Sequence, residues 1–111
     1  MTIMSGGEAL VSSLAREGVE IIFGLPGVQI MEALDALYRQ HQVRWVSVRH
    51  EQTAAYMAYG YARTTGKVGV ALVVPGPGAL NTTAAIGTAY ATSTPVLLAS
   101  APAPVNSNLS R

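Results

Sequence analysis

From Val68 to Val74 the chain reads Val-Gly-Val-Ala-Leu-Val-Val, with no polar side chain, and it breaks off in Pro75-Gly76-Pro77-Gly78. A short β-branched run closed by such breakers predicts a strand, because it is too short and too branched for a buried helix. The run also lacks alternation. A strand that is apolar on both sides must be covered on both sides, which is the situation of a central strand in a parallel sheet packed between helices. The rest of the chain therefore has to supply flanking strands and two helical layers.

It contains the signals for both. Ser5 followed by Glu8 forms a capping box, and Leu10 and Leu14 make an i, i+4 apolar pair in a first helix that ends before Gly18. Val19–Phe23 predicts a strand closed by the turn Gly24-Leu25-Pro26-Gly27. Ile30, Leu34, Leu37 and Tyr38 lie on one helical face between Gln29 and Gln40, and they are expected to pack that helix on the sheet. Val43–Val48 is the next strand. Arg49-His50-Glu51 opens a third helix that runs to about Thr65 and is capped by Gly66. Ala54, Ala58 and Ala62 make one face of that helix nearly smooth, suited either to tight packing on the sheet or to a helix contact between subunits. A small-residue helix over about 79–92 and a strand over 95–99 complete the pattern.

Strands alternating with helices in this way predict an α/β fold, a parallel β-sheet with helices on both faces, in one domain over residues 1–100. Residues 101–111 have no periodicity and are expected to be a tail or a cut end. A parallel sheet that stops there looks unfinished. Half of the residues are hydrophobic and only 12% are charged, too few to cover a domain of this size, so an obligate interface is expected. The seven basic residues are scattered, which speaks against nucleic acid as a partner. There is no cysteine for a disulfide, a thiolate metal site or a thiol nucleophile. No export signal opens the chain and prolines interrupt the longest apolar span, so a cytoplasmic location without a membrane partner is expected.

In open parallel sheets ligands sit beyond the C-terminal ends of the strands, which here means the loops 24–28, 49–51 and 75–81. Gly76-x-Gly78 after a strand suggests a dinucleotide site. However, Asn81 replaces the third glycine, no acid lies near 96–100, and Pro75 and Pro77 remove two N–H donors from any phosphate cradle. Taken alone, Glu51 is a helix-dipole residue, and His50 is a cap or a solvated side chain. No metal-ligand spacing and no nucleophile elbow are present.

Together the motifs are more specific. Gly24-Leu25-Pro26-Gly27, Arg49-His50-Glu51-Gln52, Gly60-Tyr61-Ala62-Arg63-x-x-Gly66-Lys67-x-Gly69-Val70 and Gly76-Pro77-Gly78-x-x-Asn81 resemble, in order and spacing, the pyrimidine-binding domain of the acetolactate synthase-like thiamine diphosphate enzymes. The resemblance covers about residues 3–98. It implies that Glu51 is the catalytic acid, hydrogen-bonded to N1′ of the cofactor's aminopyrimidine. Its pKa is expected to be raised by a dry pocket. It further implies cofactor contacts from Pro26, Gly27, Val28, Pro75, Gly76 and Gly78, with Asn81 fixing the turn or touching the cofactor; Gln29 is either toward the substrate or a solvent-facing residue at the helix start.

Two departures from the family pattern stand out. Val74-Pro75 replaces a Thr-Ser pair common in the family, and Ser100-Ala101-Pro102 stands where relatives carry Gly-Gln. The chain also lacks the Gly-Asp-Gly … Asn motif that binds the diphosphate and its Mg²⁺. The resemblance therefore implies the pyrimidine end of thiamine diphosphate only, with Mg²⁺ in a missing diphosphate-binding domain. The implied substrate is a 2-oxo acid, undergoing decarboxylation and carboligation. The implied partners are a homodimer, a homotetramer, or a second chain carrying the other domain, and the chain alone would be inactive. A non-catalytic interaction module of the same fold is the alternative, as is one chain of a split decarboxylase.

Overall fold

The computed structural model describes residues 3–100. The expected tail at 101–111 lies outside the described residues. The elements follow the predicted order: α1 (Gly6–Arg16), β1 (Ile21–Gly24), a 3-10 turn (Val28–Ile30), α2 (Met31–Tyr38), β2 (Arg44–Ser47), α3 (Glu51–Thr65), β3 (Gly69–Val73), α4 (Pro77–Leu80), α5 (Thr83–Ala91) and β4 (Val96–Ser100). The four strands form one all-parallel sheet in the order β2-β1-β3-β4, as the unbroken apolar run required. All five residues of β3 are buried. Among the described residues no helix is long and apolar enough to cross a membrane.

The pleat divides the core in two. Ile22, Val70 and Leu72 point to one face, where Val11 and Leu14 of α1 and Ala33, Ala36 and Leu37 of α2 close over them together with Ile30 and Val43. Phe23, Ala71 and Val73 point to the other, against Ala54 and Ala58 of α3 and beside Val48. The two faces register strand by strand, with Ile22 opposite Val70 and Phe23 opposite Ala71.

The alanine face of α3 is resolved in favour of the sheet. Ala54, Ala55, Ala58 and Ala62 are all buried within the chain. Approach is so close that a β-carbon on Gly69 of β3 would collide with the carbonyl oxygen of Ala58. α5 lies beside α3, burying Ala85 and Ala89.

Local signals placed the helix ends well. Ser5 Oγ accepts the N–H of Glu8 at 3.1 Å, and Gly66 closes α3 with φ +74°. Two expectations need correction. Tyr38 does not pack on the sheet: it is 85% exposed, because the buried stripe of the helix runs through Ala33, Ala36 and Leu37. The helix expected at 79–92 is two helices. Fully buried Thr82 donates its Oγ1 to the carbonyl of Ala79 at 2.6 Å, and this bond tightens the turn between α4 and α5.

Candidate functional site

β1, β2 and β3 all end on the same edge of the sheet, and the loops that leave them carry the predicted residues. After β3 the chain must turn at once, and Gly76 makes the turn with φ +72° and ψ −125°, a conformation that side chains with a β-carbon avoid. Pro77 then starts the single turn of α4, where a missing N–H costs nothing. α3 begins after β2 with His50 as its N-cap. The ring Nδ1 accepts the backbone N–H of Gln52 at 3.1 Å, so the ring serves as the cap.

Val74 sits where the first and third loops meet. A β-carbon on Gly27 would collide with its Cγ1, and one on Gly78 would lie 2.6 Å from its Cγ2 and 3.4 Å from Glu51 Oε1. Gly27 and Gly78 thus pack directly on the side chain of Val74, and Oε1 of Glu51 lies beside Gly78. The amide of Asn81 donates from Nδ2 to Glu51 Oε2 at 3.1 Å. The structure therefore brings Gly27, Gly78, Glu51 and Asn81 together. Val74 is the member that sequence reasoning missed: it registered only as a departure from a Thr, and no local signal marks it, because Gly27 reaches it only in the folded chain.

The other predicted residues are placed around this group rather than in it. Pro26 lines an apolar cavity of about 250 Å³ with Leu34, Leu37, Tyr38 and Trp45. Val28 is 80% exposed and Gln29 is exposed beside it. Pro75 is half-buried and Gly76 is exposed. A larger cavity of about 590 Å³ opens between α1 and α2, but it is lined by Glu8, Arg16, Arg39 and Gln42 among others and holds none of the loop residues. Converging geometry marks this site, not cavity size.

The electrostatics correct one expectation. Glu51 has its pKa lowered, not raised. Its own backbone N–H at the start of α3 stabilises the carboxylate most, the Asn81 amide adds to this, and the nearby His50 contributes in the same direction. Desolvation acts the other way but is weak, because within this chain the carboxyl is only half-buried. Among the described residues no group of three or more His, Asp or Glu side chains is arranged to hold a metal.

Residues 4–109 match the family described as thiamine pyrophosphate enzyme, N-terminal TPP binding domain. The chain is 48% identical over 100 residues to the acetolactate synthase large subunit of Buchnera aphidicola subsp. Schizaphis graminum, covering 90% of this chain and 18% of that protein. It is 47% identical over 100 residues to the acetolactate synthase isozyme 3 large subunit of Escherichia coli K12, with 90% and 17% covered. A probable 2-ketoarginine decarboxylase of Pseudomonas aeruginosa is 49% identical over 100 residues, with 87% and 17% covered. The chain thus spans less than a fifth of the length of each of these relatives.

Proposed function

The chain belongs to the thiamine pyrophosphate enzymes, as an acetolactate synthase-like N-terminal TPP-binding domain, and from that premise we propose that it supplies the aminopyrimidine half of a thiamine diphosphate site with Glu51 as its proton relay. The observation that carries this reading is the Glu51 carboxylate at the edge where the loops converge, tethered by Asn81 through Oε2 and lying with Oε1 beside Gly78, which packs with Gly27 on Val74.

When bound, the cofactor supplies the electron sink on which a 2-oxo acid loses carbon dioxide. The residues of this chain orient it and move one proton. Oε1 of Glu51 would be the partner of the ring nitrogen N1′, Gly27 and Gly78 would let the backbone approach the ring, and Val74, on which both glycines pack, would back it. A carboxylate held in its charged form by two donors is poised to accept a hydrogen bond from the protonated ring nitrogen. Pro26, Val28, Pro75 and Gly76 form the rim, and Gln29 stands toward the substrate.

On this reading the diphosphate and its Mg²⁺ are held by a diphosphate-binding domain elsewhere, in a homodimer, a homotetramer or a second chain, and the 111 residues alone are inactive. The reaction is decarboxylation of a 2-oxo acid followed by carboligation, a transferase or lyase chemistry. The intact grouping of Glu51, Asn81, Gly27 and Gly78 favours it over a non-catalytic module of the same fold. The test is Glu51→Gln in the loaded enzyme, which should abolish hydrogen–deuterium exchange at the cofactor's C2 while circular dichroism shows the fold intact. Exchange at the wild-type rate would overturn the assignment. Turnover with thiamine diphosphate, Mg²⁺ and a panel of 2-oxo acids identifies the substrate.

A further inference from the structure

We propose that Asn81 is a positioning residue: it acts through Glu51, fixing the carboxylate by Oε2 so that Oε1 alone is presented to the ligand, and it does not hold the cofactor itself. This rests on the assignment of Glu51 above.

An ionised carboxylate only accepts hydrogen bonds, so the amide nitrogen of Asn81 must be the group that faces it at 3.1 Å. The direction of that side chain is set from below. The Asn81 N–H is bonded to the carbonyl of Pro77 at 3.0 Å, and the turn that follows is anchored by buried Thr82. An asparagine just ahead of a helix usually turns to that helix's free N–H groups. Here α5 starts at Thr83 with Thr82 as its N-cap and receives no side-chain capping bond. Asn81 instead reaches a residue 30 positions away. A purely local role would have left the amide on the backbone of α5.

The geometry divides the two carboxylate oxygens. Oε2 is occupied by the amide, and Oε1 lies over Gly78, at 3.4 Å from the place a β-carbon would take. Without the tether the side chain of Glu51, at the half-buried first turn of α3, keeps its own backbone N–H as donor but loses the one that distinguishes Oε2, and either oxygen can face outward. The tether also favours the charged form of the acid, in the direction of its lowered pKa.

The experiment separates this role from cofactor binding and from a structural role. The carboxyl carbon of Glu51 is titrated by ¹³C NMR in the 111-residue chain, for wild type, Asn81→Ala and the isosteric Asn81→Asp, with amide spectra checking the fold. The midpoint should move up in Asn81→Ala, because a donor to the charged form is lost. It should move further up in Asn81→Asp, where a second negative charge faces the first. In the loaded enzyme, Asn81→Ala should lower kcat by about tenfold, the effect of one charge-assisted hydrogen bond. KM for thiamine diphosphate should stay near wild type, and the acid limb of the pH–rate profile should move up with the NMR midpoint. An unchanged Glu51 midpoint in both variants would overturn the proposal. So would a rise in KM for the cofactor with kcat preserved, which would make Asn81 a cofactor ligand. If Asn81→Ala does not fold, the sign of the shift in Asn81→Asp decides by itself. Glu51→Gln distinguishes the two readings: if it leaves C2 exchange intact the assignment of Glu51 fails, whatever the NMR titration gives. If it abolishes exchange while the midpoint is indifferent to Asn81, only the present proposal fails.

Discussion

The two faces of the sheet are built on different principles. On the α1/α2 face, large aliphatic side chains fill a thick layer, with Ile22, Ile30, Leu37 and Leu72 at its centre, and the outer surface carries charge: Arg39 bridges Glu8 of α1 and Asp35 of α2. On the α3/α5 face alanines bring backbone onto backbone, at Ala58 and Gly69, and the exterior is uncharged along α4 and α5. Between Lys67 and Arg111 no Asp, Glu, Lys or Arg occurs. The thick face tolerates side-chain loss in proportion to volume, whereas at the Ala58–Gly69 contact of the thin face there is no side chain to give way. Close approach also seats α3 on the sheet with Glu51, its first residue, at the edge where the loops converge.

The strongest way to break this contrast is Gly69→Ala. The added methyl meets the carbonyl oxygen of Ala58 and not its side chain, so neither partner can rotate away. The loss should exceed about 4 kcal/mol, enough to unfold a domain of ordinary stability, seen as insoluble protein or absent amide dispersion. Ala58→Gly should not rescue it, and a rescue would show that the contact is between side chains. Next comes Ile22→Ala on the thick face, a fully buried residue whose truncation should cost about 2–5 kcal/mol without changing the fold, read from the urea midpoint.

A smaller loss is expected at Gln40, which joins α2 to β2. Its side chain donates to the carbonyls of Leu37 and Val43 and accepts from the N–H groups of Gln42 and Val43. Gln40→Ala should cost roughly 1–3 kcal/mol. Gln40→Glu keeps the accepted bonds and loses the donated ones, so it should fall between wild type and alanine in thermal melting. The smallest effect is that of Arg39→Ala. Its ion pairs are solvent-exposed, and Tm should change by no more than about 2 °C, with the difference shrinking at high salt. A large effect there would show that the charged exterior of the thick face is structural after all.

Much of the fold was legible because its signals are local. The apolar run of β3, the Ser5 cap, the Gly66 stop and the breakers after β1 and β3 each act within a few residues, and together they leave little besides a covered parallel sheet. Where the reading failed, the deciding contact was remote. Tyr38 keeps helical spacing but is exposed, because what it would face depends on how α1 crosses α2. The helix at 79–92 is divided by Thr82, a residue whose burial no window of neighbours reveals.

The candidate site follows the same division. The sequence by itself determined the order of elements, the parallel sheet, the family motifs and the position of Glu51 at the first turn of a helix, since capping and hydrophobic period are properties of short segments. Only the tertiary structure decided that Val74 stands between Gly27 and Gly78, that Asn81 takes Glu51 Oε2, and that the carboxyl's pKa is lowered and not raised. The physical reason is that the state of an acid depends on which donors reach it and how much water remains around it. One of those donors is the acid's own backbone N–H, but the other, Asn81, lies 30 residues away in the chain and is brought to the same edge by the parallel sheet.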